Sequence, residues 1–389
     1  MTSTAPVVTT AVPLLDVNRG NRELREEILA ALTAVVDSGR FLHGPEVTSF
    51  EVDVADLCAV PHAIGCASGS DALLLALMAL DLEPTDEVIV PSFTFFATAS
   101  CVARLGCRMV FVDIDPRTYN MSPESLASAI TPRTRAIIPV HLFGQCAAMD
   151  EICRIADAHD IPVIEDAAQA IGAAYHGRPA CSWGSMGCLS FYPTKNLGGF
   201  GDGGMLTARS EHVADRLRLL AAHGMRPRYY HQAVGINSRL DTLQAAVLAV
   251  KLRHLNQYTR ARQSNAARYG ELLQSTPLND AFDLPYEDPA AFHVWNQYGI
   301  RVHHGQRDAL KTYLQQRGIG CEVYYPVPLH QQQCFQHVNR GPGSLPETER
   351  AAREILHLPI YPELQCDEQL RVVETIGSFY REAYRKLAA

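Results

Sequence analysis

Lys195 is the first lysine in the chain, and the next is Lys251. It lies in Ser190-Phe-Tyr-Pro-Thr-Lys195, ahead of Gly198, Gly199, Gly201, Gly203 and Gly204. A glycine-dense backbone can approach a ligand closely and take conformations closed to other residues. A lysine beside such a backbone, in an apolar pocket, has a lowered pKa and becomes a nucleophilic amine. The same run also fits a flexible surface loop. A second group is Ile164-Glu-Asp166-Ala-Ala-Gln169. Asp166 ends an apolar strand, where an unpaired carboxylate is costly and needs a partner. It also fits as the cap of a following helix. The third is Ser68-Gly-Ser-Asp71, directly before the helix-forming run Ala72-Leu-Leu-Leu-Ala-Leu-Met-Ala-Leu80. Backbone N–H groups at Gly69 and Ser70, with the helix dipole, make an anion site.

The three groups together supply what pyridoxal 5'-phosphate (PLP) requires. Gly69 and Ser70 anchor a phosphate. Asp166 keeps the pyridine nitrogen protonated, which makes the ring a better electron sink, and Gln169 reaches the phenolic oxygen. Lys195 attaches the aldehyde.

The elements that must position these residues alternate. Ala63 to Cys66, Glu87 to Val90, Arg108 to Val112, Ala136 to Val140 and Pro162 to Asp166 read as buried strands. Helices follow from Ala72, from Phe96, from Ser122 as cap with Pro123 first, and from Asp150 as cap through Ala158. Continuous apolar strands separated by helices indicate an α/β fold with a mostly parallel sheet covered on both faces. Ligands in such sheets bind beyond the C-terminal strand ends, where all three groups fall. Asp241 to Tyr258 reads as one long helix. A smaller C-terminal α+β domain follows, with a helix over Arg307 to Arg317, a strand near Cys321 to Tyr325, a loop over Phe335 to Pro346 and a last helix from Asp367. The expected division is a flexible tail over 1–12, a large PLP-binding domain over 13–255 and a small domain over 256–389.

The formal net charge of −8 over 389 residues argues against nucleic-acid binding, which needs a basic face. Eleven cysteines without a CxxC pair, and 15 histidines without ligand spacing, suggest free thiols and no metal site. No apolar run reaches membrane-spanning length, and the N-terminus lacks a signal-peptide pattern, so a cytoplasmic location is expected.

From about Pro13 to the last helix, the chain resembles the DegT/StrS family of sugar aminotransferases, which have the aspartate-aminotransferase-type (type I) fold. The resemblance is carried by Ser38-Gly-Arg-Phe-Leu-His-Gly-Pro45, Ser68-Gly-Ser-Asp-Ala-Leu73, Pro91-Ser-Phe-Thr-Phe95 and Pro139-Val-His-Leu-Phe-Gly-Gln145. Glu165-Asp-Ala-Ala-Gln169, Ser190-Phe-Tyr-Pro-Thr-Lys195, Gly235-Ile-Asn-Ser-Arg-Leu240 and Tyr325-Pro-Val-Pro-Leu-His330 complete it. The resemblance implies that Lys195 forms the Schiff base and shuttles the proton, and that Phe95 stacks on the PLP ring. It adds Ser190 to the phosphate site. It implies that Asn237 reaches the phosphate from the neighbouring subunit of a homodimer, and that Arg239 contacts substrate or the glutamate carboxylate. Gly201-Asp-Gly-Gly204 is more similar to members acting on 3-keto sugars than on 4-keto sugars. Val112 to Asn120 and Asn237 to Gln244 resemble the enzyme that aminates UDP-2-acetamido-3-keto-glucuronate. Tyr324 departs from that enzyme's pattern, which has a His, and Tyr361 replaces another.

The expected reaction transfers an amino group from L-glutamate to a nucleotide-linked keto-sugar at C3. The basic, aromatic run His223 to His231, with Arg226 and Arg228, suits the diphosphate, though it also fits a solvated loop. Tyr324, Tyr325, His330 and Arg40 are further substrate candidates. The alternatives are a 4-keto sugar or cyclitol ketone as acceptor, or a PLP-binding regulator without turnover.

Overall fold

The computed structural model describes residues 11–276, 278, 280–338 and 343–387. Most of the tail expected over 1–12 lies outside the described residues. Val12, by contrast, is buried and pairs in parallel with Ile319.

Seven strands form the main sheet: β1 (His62–Cys66), β2 (Glu87–Pro91), β3 (Arg108–Val112), β4 (Thr134–Ile137), β5 (Ile164–Asp166), β6 (Met186–Ser190) and β7 (Gly204–Ala208). Their order is β1-β7-β6-β5-β4-β2-β3, with β5 and β4 joined through the Ile137–Val163 and Val140–Asp166 bridges. β2 pairs in parallel with both β3 and β4, and β5 with β6. Only β7 runs against its neighbours. All five residues of β2 are buried, as an apolar run covered on both faces requires.

Helix α1 (Gly69–Met78) packs on this sheet. Ser68 caps it, its hydroxyl accepting from the Asp71 N–H at 3.1 Å. Leu73, Leu75 and Leu77 on it are at most 2 % exposed, each burial contributing about 1.5–3 kcal/mol. α2 (Phe96–Arg104) starts at the C-terminal end of β2, where Phe95 is its cap residue. The Ser122 cap and Pro123 start are found as expected in α3 (Pro123–Ala129). The next helix, α4 (Met149–Asp157), begins one residue earlier than Asp150, and Ala148 occupies the cap position. Asp150 accepts only from the adjacent Glu151 N–H.

The long helix expected over Asp241 to Tyr258 is two: α5 (Thr242–Leu252) and α6 (Leu255–Gln274), with Arg253 and His254 between them. A second, three-stranded antiparallel sheet is built from β8 (Phe282–Asp283), β9 (Tyr298–Val302) and β10 (Ile355–Leu358), in the order β8-β9-β10. The strand expected near Cys321 to Tyr325 is only one bridge, Glu322 to His357. The expected Phe335 to Pro346 loop is partly helical, with a 3₁₀ segment over Gln333–Val338 and α7 starting at Pro346 (Pro346–Glu354). Gly341 and Pro342 lie outside the described residues. α8 (Cys366–Leu387) closes the chain. No described helix is long and apolar enough to cross a membrane.

Candidate active site

At the C-terminal ends of β5 and β6 lies a cavity of about 620 Å³. Lys195, Asp166, Gln169, Phe95, Gly69, Ser70, Ser190, Tyr324 and Tyr325 all face it. Nine expected site residues, spread over some 250 positions of sequence, therefore share one chamber.

Asp166 is 4 % exposed at the end of β5. Its Oδ2 accepts from the Thr98 hydroxyl at 2.8 Å, and its Oδ1 from the Ala168 N–H at 3.2 Å. Burial pushes its pKa up, while these bonds and the Lys195 charge oppose the shift. A carboxylate so placed favours a cationic partner, which would hold it ionised. Lys195 follows a turn closed by its N–H to the Tyr192 carbonyl. Removal from water lowers its pKa to about 8, with the Asp166 charge opposing this. Its amine is thus unprotonated in an appreciable fraction near neutral pH. Gln169 is held by the Phe143 N–H, which donates to its Oε1 at 2.7 Å, and its Nε2 lies 3.4 Å from the Tyr325 hydroxyl. Phe95 presents its ring to the chamber 58 % exposed, 6.3 Å from the Tyr325 ring.

The far end of the chamber is the N-terminus of α1. The Ser68 hydroxyl answers Asp71 alone, so the first-turn N–H groups of Gly69 and Ser70 point outward for a ligand. Gly69 is obligatory here: a Cβ on it would stand 2.7 Å from the Ser190 Cβ. Gly204 is confined in the same way, 2.3 Å from the Ser68 carbonyl carbon. Of the glycines after Lys195, Gly204 thus serves close backbone packing at the anion site, whereas Gly198 is confined by the Pro193 carbonyl. An anion cradle, a buried carboxylate wanting a cation and an amine of lowered pKa at one chamber fit PLP. Among the described residues no cluster is placed to hold a metal ion.

Six expected site residues line no part of this chamber, the exposed Arg40 among them. Asn237 is exposed and bridges to Ala222, and Arg239 follows it. Arg226 and Arg228 are on an exposed loop, Arg228 donating to the Tyr229 hydroxyl at 3.0 Å. His330 is a correction of a different kind. It is 3 % exposed, bonded to the Ser92 hydroxyl at 2.6 Å and beside Glu349, because the segment after Pro328 turns inward under β2. Its place is a core contact and not a substrate-facing one.

Sequence reasoning missed Thr98, Tyr192, Thr194, Asp202 and Gln297. The last four line the chamber, and Thr98 holds Asp166. Thr98 had a signal, since it lies three residues beyond Phe95 on the first turn of α2. Gln297 had none, for it arrives from the second sheet.

The model of the DegT/DnrJ/EryC1/StrS aminotransferase family matches residues 22–377. A Geobacillus stearothermophilus protein named pleiotropic regulatory protein is 47 % identical over 95 % of this chain and 99 % of its own. The UDP-N-acetyl-3-dehydro-alpha-D-glucosamine 3-aminotransferase of Acidithiobacillus ferrooxidans is 44 % identical over 94 % of this chain and 97 % of its own. The crystal structure of DesV from S. venezuelae superposes with a TM-score of 0.91 at 43 % identity, covering 95 % of this chain and 99 % of that one. The matched range spans the whole stretch that builds the chamber, and the chain belongs to the DegT/DnrJ/EryC1/StrS family as a PLP-dependent aminotransferase.

Proposed function

We propose that the enzyme moves an amino group from L-glutamate to C3 of a nucleotide-linked keto-sugar, acting as a homodimer in the cytoplasm. The observation that carries the reading is the half-buried Lys195 amine, lowered to about 8, facing Asp166 across a chamber with a phosphate cradle at its end. The name of the Acidithiobacillus relative supports C3 as the position. All eleven cysteines are free, which suits a reducing compartment.

Bound PLP would supply a carbonyl to carry the amino group and a ring to accept electrons. Lys195 takes and returns the proton at the reacting carbon, for which a pKa near the working pH is best. Asp166 holds a proton on the ring nitrogen. Gln169 binds the phenolic-oxygen side. Gly69 and Ser70 donate N–H groups to the phosphate, with Ser190 beside them, and Phe95 covers the ring. Tyr324 and Tyr325 border the space left for the sugar. Asn237, Arg226 and Arg228 are exposed and Arg239 half-buried, all outside their own chamber, which suits delivery to the chamber of a second subunit, the arginines toward the diphosphate. The division into a large unit over 13–255 and a small one over 256–389 is supported by the separate main and second sheets, although Ala291–Phe292 of the small unit pairs with Ala174–Tyr175 of the large one.

The test uses glutamate labelled with nitrogen-15 and a panel of UDP- and dTDP-linked 3-keto and 4-keto sugars, with scyllo-inosose as a cyclitol control. Mass spectrometry and NMR are expected to find the label on C3 of a nucleotide sugar. Label only on C4 products, or only on the cyclitol, would contradict the proposal.

A further inference from the structure

Two fully buried residues beside the chamber have no part in the chemistry above. Glu165 and His141 are both 0 % exposed, and neither faces the chamber. A carboxyl group at such depth needs hydrogen-bond partners for its oxygens. Those of Glu165 have them. Oε1 accepts from the Trp183 and Gly184 N–H groups, both at 2.7 Å, and Oε2 from the Cys181 N–H at 2.8 Å and His141 Nε2 at 2.9 Å. The proton's place on His141 follows from its other nitrogen. Nδ1 accepts from the Ala147 N–H at 3.1 Å, so the ring hydrogen is on Nε2, donated to Glu165.

Through these bonds Glu165 gathers three segments. One is the end of β5, which carries Asp166. The second is the Cys181 to Gly184 loop, which feeds β6 and so Ser190. The third is the turn that starts at His141. That turn grips the site twice more. The His141 N–H donates to the Asp166 carbonyl at 2.9 Å, while the Asp166 N–H donates to Pro139 at 2.9 Å. Two residues on, Phe143 takes a left-handed conformation, φ 60, and its N–H holds Gln169 Oε1. The two groups assigned to the PLP ring are therefore both fixed by the turn that the Glu165–His141 bond anchors.

We propose that His141 and Glu165 are a positioning pair, which sets the reach of Asp166 toward the ring nitrogen and of Gln169 toward the phenolic oxygen. The inference rests on the roles assigned above to Asp166 and Gln169. A pair that served stability alone would not alter the protonation of the ring when a variant folds and binds the cofactor.

The experiment loads the full-length enzyme with PLP carrying nitrogen-15 in the ring and follows its NMR shift with pH. His141→Asn is the informative variant, because its Oδ1 can replace Nδ1 for Ala147 while nothing reaches Glu165. His141→Gln keeps a donor at the Nε2 position. Wild type is expected to keep the ring nitrogen protonated from roughly pH 6 to 9, a range in which a free ring nitrogen would lose its proton unless held by a carboxylate. His141→Asn loses that proton within the range and drops kcat about 100-fold at nearly unchanged KM for glutamate, as expected for a small misplacement. His141→Gln restores most of both. If His141→Asn folds, binds PLP and gives the wild-type signal at every pH, the pair is structural and the proposal is overturned. Asp166→Asn separates the two ideas. An unchanged signal in that variant overturns the assignment of Asp166 itself, and with it the proposal. A changed signal there, with none in His141→Asn, overturns the pair alone.

Discussion

The wall at the strand ends and the loop from His223 to Arg239 are built on opposite terms. In the wall, Asp166 and Gln169 are buried and answered, Asp166 by Thr98 and Ala168, Gln169 by Phe143. In the loop, Tyr229, Tyr230 and Val234 are 73 %, 70 % and 91 % exposed, and the arginines bond only to neighbouring surface groups. The contrast teaches where the chemistry is complete. One chain brings Lys195, Asp166, Gln169 and the Gly69–Ser70 turn into one chamber, whereas its basic, aromatic loop is turned away from that chamber. A loop so exposed is poor as structure and well suited to meeting another surface.

The comparison can be broken first at the wall, through the cost of burying Lys195. Its folded pKa of about 8 lies below the ordinary 10.5. Below pH 8 both folded and unfolded chains hold the proton, so the folded apoprotein bears the full cost. Between pH 8 and 10.5 the unfolded chain holds more protons, so stability rises with pH. Lys195→Met apoprotein is therefore expected to be more stable than wild type at pH 7, by up to about 3 kcal/mol. Chemical denaturation should show the gap closing from pH 8 to 10.5. A gap independent of pH would mean that the lysine is not desolvated.

A smaller effect tests the phosphate end. Gly69→Val places methyl groups against Ser190, and strain of about 1–3 kcal/mol should weaken PLP binding roughly 10- to 100-fold. Equilibrium dialysis against PLP checks this, and an unchanged affinity would remove Gly69 from the anion site. The smallest effect sharpens the loop side. Lys195→Ala and Asn237→Ala proteins, each nearly inactive, are mixed after partial unfolding. If the site is shared, random pairing restores about a quarter of wild-type activity, since half the dimers carry one intact site of two. Activity no greater than the sum of the two separate proteins would place Asn237 outside a shared site.

Much of the wall could be read in the sequence because its signals are local. The Ser68–Asp71 turn before a helix and Asp166 ending a buried strand depend on residue types within a few positions. The reversed strand β7 was not legible, since an apolar run carries no direction. Nor was the break after Leu252, where neither glycine nor proline marks the turn and good helix formers continue on both sides. His330 was misread for a related reason. A histidine after Pro-Val-Pro looks the same whether the segment turns toward a ligand or toward Ser92, and only the tertiary fold decides. Gln297 reaches the chamber from beside the second sheet, which no spacing rule joins to the other lining residues.

The central claim is that Lys195 binds PLP and releases it to glutamate. The direct measurement is the visible absorption of the purified enzyme and of Lys195→Ala, before and after adding glutamate. Wild type is predicted to show a band near the visible edge that shifts with glutamate, and Lys195→Ala to lack the band or its response. A wild type without bound PLP, or a spectrum indifferent both to glutamate and to the substitution, would contradict the account.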